Sequence, residues 1–266
     1  MLNYIFWNPD PNAIDLGFFV IKWYGLMWSI GIFAGYFLAS HLVKQMHLRD
    51  ERLTLAIQYI FIGGLIGARL AQVLFYMPEY YLQNPIKIFY VWEGGLASHG
   101  GILGAIIGLW LFCRKYDDYP FFFALDMGSI CFFLFAGLVR MGNLINSEIV
   151  GKPTEVPWAF VFYDQIPRHP VVLYEALIYF AMQPILLWMF HHYKKAKPGI
   201  YISFSFLTAF TIRFLLEFLK EPEGGVYFNA ISHTQMLSVP FILVGILFCW
   251  MTWRGKWQYG YVPQAD

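Results

Sequence analysis

A chain of 266 residues that is 59% hydrophobic and only 13% charged carries about half the charge of an ordinary soluble domain, near 25%, which excludes a water-soluble globular fold. A formal net charge of +1, with no basic run interleaved with aromatics, excludes a nucleic-acid footprint. Cys113, Cys131 and Cys249 lie in or beside apolar stretches without the paired spacing of a metal site or disulfide framework.

Met1 to Val20 holds Asp10 and Asp15 but no Lys or Arg, unlike the basic start of a cleaved signal peptide, so the first apolar span is expected to stay in the protein. Stretches of the ~20 apolar residues that cross a bilayer core run near 18–42, 54–76, 96–114, 121–140, 171–191, 199–219 and 234–253. They predict an all-α integral membrane protein: a bundle of seven transmembrane helices in a single domain, 1–266, with a small external elaboration, 141–170, between spans four and five.

The connections after spans one, three and five, with the C-terminal tail, carry ten basic residues: Lys44, Arg49, Arg52, Arg114, Lys115, Lys194, Lys195, Lys197, Arg254 and Lys256. The opposite side carries five: Lys87, Arg140, Lys152, Arg168 and Lys220. The positive-inside rule then predicts the amino terminus outside and the carboxyl terminus inside. Small residues at four-residue spacing, Gly31 with Gly35, Gly63 with Gly67, and Gly100 with Gly104 and Gly108, predict close helix packing.

Polar groups interrupt these spans. At the outer end of span one, Tyr24 in Lys22-Trp23-Tyr24-Gly25 is either an interfacial anchor or a hydroxyl offered to a lipid headgroup. Arg69, in mid-span two with Gln72 and Tyr76 on one face, must face protein or water, and is expected to be structural, paired with a buried carboxylate, rather than in contact with a substrate. His99, in Ser98-His99-Gly100-Gly101, sits on backbone that can approach a ligand closely, and its imidazole titrates near neutrality.

The block from Gly137 to Gly151 ends a hydrophobic run with Arg140, Asn143, Asn146, Ser147 and Glu148. Charges near the hydrocarbon boundary need partners or a polar ligand. Glu175 lies one turn inside span five and needs an arginine, and Arg213, Glu217 and Lys220 form one stripe on span six that a self-contained Arg213–Glu217 salt bridge would explain. Most of these groups fall at the external end, where arginines suit the phosphate of an anionic phospholipid. A transporter would spread its charges through the membrane depth, and here only Arg69 is deep.

Lys22-Trp23-Tyr24-Gly25-Leu26-Met27, Gly67-Ala68-Arg69-Leu70, Ser98-His99-Gly100-Gly101, Arg140-Met141-Gly142-Asn143 through Asn146, Glu148 and Gly151, Arg168-His169-Pro170 with Leu173-Tyr174-Glu175-Ala176, and Arg213 through Glu217 follow one another along the chain. In that order they resemble the bacterial prolipoprotein diacylglyceryl transferases over most of the length. The resemblance implies transfer of the sn-1,2-diacylglyceryl group from phosphatidylglycerol to the lipobox cysteine of a preprolipoprotein signal peptide. A thioether forms and glycerol 1-phosphate leaves, without metal or organic cofactor. The expected location is the bacterial cytoplasmic (inner) membrane, with the active site towards the external leaflet.

On this resemblance His99, Arg140 and Arg213 are the expected catalytic residues, His99 as general base and the arginines on the phosphate. Tyr24, Asn143, Asn146, Glu148, Gly151, Glu175, Glu217 and Lys220 are the expected substrate-binding group. Three departures from the family pattern stand out, one of them His233-Thr234-Gln235 for the usual Met-Gly-Gln together with Val171-Val172 for the usual Ser-Gln, which implies local changes in shape. Lys220 stands where an arginine is usual, which loses the bidentate fork, and Ala209 stands where many members carry a tyrosine.

Overall fold

The computed structural model describes residues 4–18, 20–45, 50–116, 119–192, 198–221, 226–227 and 231–255. Strands β1 (Ile5–Phe6), β2 (Asn12–Asp15) and β3 (Val20–Lys22) precede helix α1 (Trp23–Gln45), then α2 (Leu53–Ala71), α3 (Pro78–Gln83), α4 (Ser98–Lys115) and α5 (Phe121–Ile145). Strands β4 (Phe160–Val161) and β5 (Pro167–Arg168) lead to α6 (Val171–His192) and α7 (Ile200–Leu216). Strands β6 (Val226–Tyr227) and β7 (Ile231–Ser232) come before α8 (His233–Trp253). The short strands pair in three small sheets, β1-β4-β5, β2-β3 and β6-β7, and qualify the all-helical expectation.

Among the described residues six helices are long and apolar enough to cross a membrane: Trp23–Gln45, Leu53–Tyr76, Phe121–Ile145, Val171–His192, Ile200–Leu219 and Thr234–Trp253. Helix α4 occupies the third expected span but is not one of the six. Its 18 residues open on Ser98-His99-Gly100-Gly101 and close on Arg114-Lys115, so its continuous apolar stretch, residues 102–113, is shorter than the ~20 residues that cross a bilayer core. Two boundaries also differ from the reading above. Residues 20–22 belong to the β2–β3 hairpin rather than to span one, and α5 continues to Ile145. Arg140 and Asn143 therefore sit within a helix, and the connection between the fourth span and α6 begins at Asn146.

The described residues fall into two compact units, one within 1–38 and 128–255 and one within 39–127. In the second, α2 and α4 pack along their glycines. A Cβ on Gly63 or Gly67 would collide with the backbone at Gly104 or Gly100, and one on Gly108 with the carbonyl of Tyr59. The predicted close approach is thus real here, whereas Gly35 has open space around it.

Arg69, 5% exposed, is structural as expected, but its partners are not a carboxylate. Nε donates to the carbonyl of Ile88 at 2.8 Å, Nη1 to those of Gly94 at 2.6 Å and Gly95 at 3.0 Å, and Nη2 to those of Lys87 and Tyr90. All five guanidinium N–H groups are spent on backbone carbonyls. Arg69 therefore ties the 87–95 connection to α2, where no carboxylate or substrate is needed to satisfy it.

In the first unit α7 and α8 join through stacked phenylalanines, Phe210 and Phe241 lying 4.3 Å apart at 9°. Helix α5 meets α6 where Gly137 accommodates the Phe180 ring and the Gln183 side-chain carbonyl accepts from the amide of Leu134 at 2.9 Å. It meets α1 where Gly142 lies against Tyr24 and Gly31 against Phe135.

Candidate functional site

The first unit brings most of the predicted polar residues to one place, centred on Glu175. This carboxylate, on the second turn of α6, is 0% exposed, and a buried carboxylate persists only when cations hold it. Arg140 of α5 places Nε 2.5 Å from Oε2. The contact is an ion pair and not a linear hydrogen bond, since Oε2 has no well-aligned donor. Lys220, 6% exposed, donates from Nζ to Oε1 at 2.7 Å. Each carboxylate oxygen thus faces a cation from a different segment.

A second chain of contacts runs outward from Arg140. Its Nη1 donates to Oδ1 of Asn143 at 3.2 Å, and Asn143 Nδ2 donates to Glu148 Oε2 at 2.7 Å. Asn146 Nδ2 donates to Glu148 Oε1 at 3.1 Å. The turn that folds Glu148 back onto the end of α5 carries two left-handed residues, Ser147 (φ 54°) and Ile149 (φ 58°). Each costs about 1–3 kcal/mol and persists where its surroundings over-determine it. The strain is spent on aiming one carboxylate at two asparagines.

Arg213, Glu217 and Lys220 do not form the single stripe expected of them. Helix α7 ends at Leu216 and tightens into a 3-10 turn over Glu217–Leu219, so Lys220 leaves the helical face and crosses to Glu175. Glu217 accepts from the Ser232 hydroxyl at 2.8 Å and lies 3.5 Å from Lys220 Nζ. The self-contained Arg213–Glu217 salt bridge is not formed. Arg213 Nε is buried without a hydrogen-bond partner among the described residues, although Arg213 lies within electrostatic reach of Glu175 and Tyr179.

Gly151 works through its backbone. It bridges Lys220, the Lys152 amide donates to the Leu219 carbonyl at 2.8 Å, and the Glu221 amide to that of Val150 at 3.1 Å. On its other side a Cβ would stand 2.8 Å from both His169 Cβ and Val171 Cγ2 and against the His169 carbonyl. Only glycine lets three chain segments cross here. Gly151→Ala is expected to lower stability by about 1–3 kcal/mol, as overpacking does, and to lower activity by displacing Lys220. A thermal midpoint and an activity both equal to wild type would show that the crossing has room.

Arg168 seals the outer side of this crossing, donating to Asp164 at 2.6 Å, Glu221 at 2.8 Å and the Gly151 carbonyl at 3.0 Å. Burial opposes its charge, and the hydrogen bonds to Asp164 and Glu221 outweigh that, so its pKa lies above the ordinary arginine value.

Tyr24 lies at the first turn of α1 with its ring 3.0 Å from the Cβ position of Gly142, within electrostatic reach of Arg140. His99 belongs to the second unit, half-buried on the first turn of α4, where the Ala97 amide just ahead of it donates to the Ala68 carbonyl at 3.1 Å.

Sequence reasoning passed over two contributors, Tyr179 and Ser232, and gave Tyr174 no role of its own. Tyr179, one turn inward from Glu175 and buried, lies within electrostatic reach of Arg140. Ser232 holds Glu217 while also forming a capping box with Gln235, a Ser-x-x-Gln signal that was legible. Tyr174 accepts from the Trp158 indole at 2.7 Å and lies 3.3 Å from His169 Nδ1, a contact between residues too far apart for any local pattern to reveal.

Chemically the cluster is a set of cations gathered around one shared carboxylate, with one arginine nitrogen left over, next to neutral donors and a tyrosine. It fits an anion. Among the described residues no group of three or more His, Cys, Asp or Glu side chains could hold a metal ion.

A family model described as prolipoprotein diacylglyceryl transferase matches residues 11–251. The chain is 42% identical to the phosphatidylglycerol--prolipoprotein diacylglyceryl transferase of Tolumonas auensis, covering 95% of this chain and 99% of that protein. It is 40% identical to the protein of that name from Bacteroides fragilis, over 94% and 95% of the two chains. Against the one from Chloroherpeton thalassium it is 37% identical, over 92% and 93%.

Proposed function

Because the chain belongs to the prolipoprotein diacylglyceryl transferase family, we propose that it transfers the sn-1,2-diacylglyceryl group of phosphatidylglycerol to the lipobox cysteine of preprolipoproteins, the first step of lipoprotein maturation. It is an integral membrane transferase. In this reading α4 completes a seven-span domain in the cytoplasmic membrane, the amino terminus and the 146–170 connection lie outside, and the Glu175 cluster faces the external leaflet. The basic residues after the first, third and fifth spans support that orientation.

In the reaction the thiol sulfur attacks the sn-3 carbon of the glycerol that carries both acyl chains. The sulfur–carbon bond forms as the carbon–oxygen bond to phosphate breaks, and the electron pair leaves on glycerol 1-phosphate. Two demands follow: the thiol, with a pKa of about 8.5, must lose its proton, and charge growing on the departing phosphate must be neutralised. The observation that carries the reading is the buried Arg213 Nε without a hydrogen-bond partner among the described residues, within electrostatic reach of a carboxylate already shared by Arg140 and Lys220. Arg213 is the phosphate ligand, and Arg140, held by Glu175 and Asn143, supports it. Asn143, Asn146 and Glu148 form the wall nearest the headgroup.

His99 takes the thiol proton. Its imidazole, which can accept a proton, and its glycine-flanked position support this role. His99→Gln is expected to lower turnover about 10²-fold or more, in the range of general base catalysis, and a variant with wild-type turnover would end the assignment. The function itself is tested by 31P NMR of purified protein with phosphatidylglycerol and a lipobox peptide. Glycerol 1-phosphate is expected with the cysteine peptide and not with its serine counterpart; release independent of the thiol would indicate a phospholipase.

A further inference from the structure

Besides Arg213, the first unit leaves two buried donors without a hydrogen-bond partner among the described residues, Gln183 Nε2 on α6 and Trp28 Nε1 on α1, and the second lies on the helix that carries Tyr24. Trp28 Nε1 on α1 is buried and has no hydrogen-bond partner among the described residues. An indole nitrogen can donate and never accept, so what is missing is an acceptor. The ring stands edge-on to Phe135, centroids 4.9 Å apart at 87°, and 6.3 Å from the ring of Tyr24. It therefore belongs to the face of α1 that meets α5.

The register of these helices gives its depth relative to the phosphate site. Tyr24 lies against Gly142 and Gly31 against Phe135, so the helices run antiparallel and Trp28 is level with Leu138. Arg140 is two residues nearer the external end, about 3 Å at 1.5 Å per residue. In a diacyl phospholipid the ester carbonyls come a few bonds after the phosphate, between it and the hydrocarbon tails. A phosphate at the Arg213 and Arg140 level brings those carbonyls to the level of Trp28.

We propose that the indole N–H of Trp28 donates to an ester carbonyl of the lipid substrate and gives the enzyme a preference for ester-linked over ether-linked diradylglycerol. The inference rests on the transferase reading above. Trp28 acts as a binding residue, orienting the sn-3 carbon between a clamped phosphate and a clamped carbonyl. Because the donor is enclosed by protein, an ether oxygen, a poorer acceptor than an ester carbonyl, leaves it unanswered in the complex.

The test compares dioleoyl phosphatidylglycerol with its diether analogue, each given to the full-length protein with a lipobox peptide. The wild type is expected to favour the diester about fivefold in kcat/KM, the size of one net hydrogen bond. Trp28→Phe, which lacks the donor, brings that ratio close to one, and Trp28→Met serves as a second donor-free variant if the first does not fold. Loss of packing alone lowers both rates and leaves their ratio intact, so an unchanged ratio in a folded variant overturns the proposal. Equal turnover of both lipids by the wild type overturns it without any variant. No transfer from either lipid by folded wild type removes the underlying transferase reading instead, a result distinct from an unaltered ratio.

Discussion

Replacing Glu175 with Gln is expected to lower stability by roughly 3–5 kcal/mol, the cost of breaking a buried ion pair from one side, and to abolish transfer. Arg140 and Lys220 reach the two oxygens of this one carboxylate at 2.5 Å and 2.7 Å. Removing its charge leaves two cations, from α5 and from the end of α7, facing each other across a neutral amide. The effect propagates because Lys220 also carries the backbone bridge to Gly151. Lys220→Met, which removes one cation and leaves Glu175 with Arg140, is expected to be milder. Thermal unfolding in detergent with and without phosphatidylglycerol measures both, and a Glu175→Gln protein as stable as wild type would show that the carboxylate is not the organising charge.

Arg213→Gln is expected to have the opposite profile: turnover lower by about 10²–10³-fold, the usual loss for one donor to a developing oxyanion, with little change in thermal midpoint. The reason is that Arg213 Nε makes no hydrogen bond among the described residues, so few internal contacts depend on it. Arg213→Lys should recover little, because an ammonium cannot replace the planar fork. Arg140→Gln, by contrast, should lower both stability and rate. If Arg213→Gln unfolded the protein while keeping its rate in the surviving fraction, the two arginines would have to exchange roles.

Much of the architecture was legible because bilayer-crossing helices announce themselves by apolar length, and six of the seven expected spans are long, apolar helices. The exception, α4, was read by its hydrophobic middle, while its glycines and terminal Arg114-Lys115 limit the apolar length. Buried charge was legible as a need for partners: Glu175 called for an arginine, and it has Arg140. Partner identity was not always legible. Arg69 was expected to find a carboxylate, but its partners are five backbone carbonyls, which leave no trace in side-chain identity. The i, i+4 spacing of Arg213 and Glu217 suggested a pair on an ideal helix, and the tightening after Leu216 broke that geometry. The role of Gly151 depends on segments far apart in sequence meeting at His169 and Lys220, and no local pattern encodes such a crossing.

The central claim, that the Glu175 cluster presents Arg213 to a phospholipid whose diacylglyceryl group passes to a thiol, is most directly tested by mass spectrometry of a lipobox peptide. The peptide is incubated with phosphatidylglycerol and purified protein, wild type or Arg213→Gln. The wild type is predicted to add one diacylglyceryl group at the cysteine by a thioether, with the acyl chains of the lipid supplied, and the variant to yield little adduct. A folded wild-type preparation that binds phosphatidylglycerol and leaves the peptide mass unchanged would contradict the account.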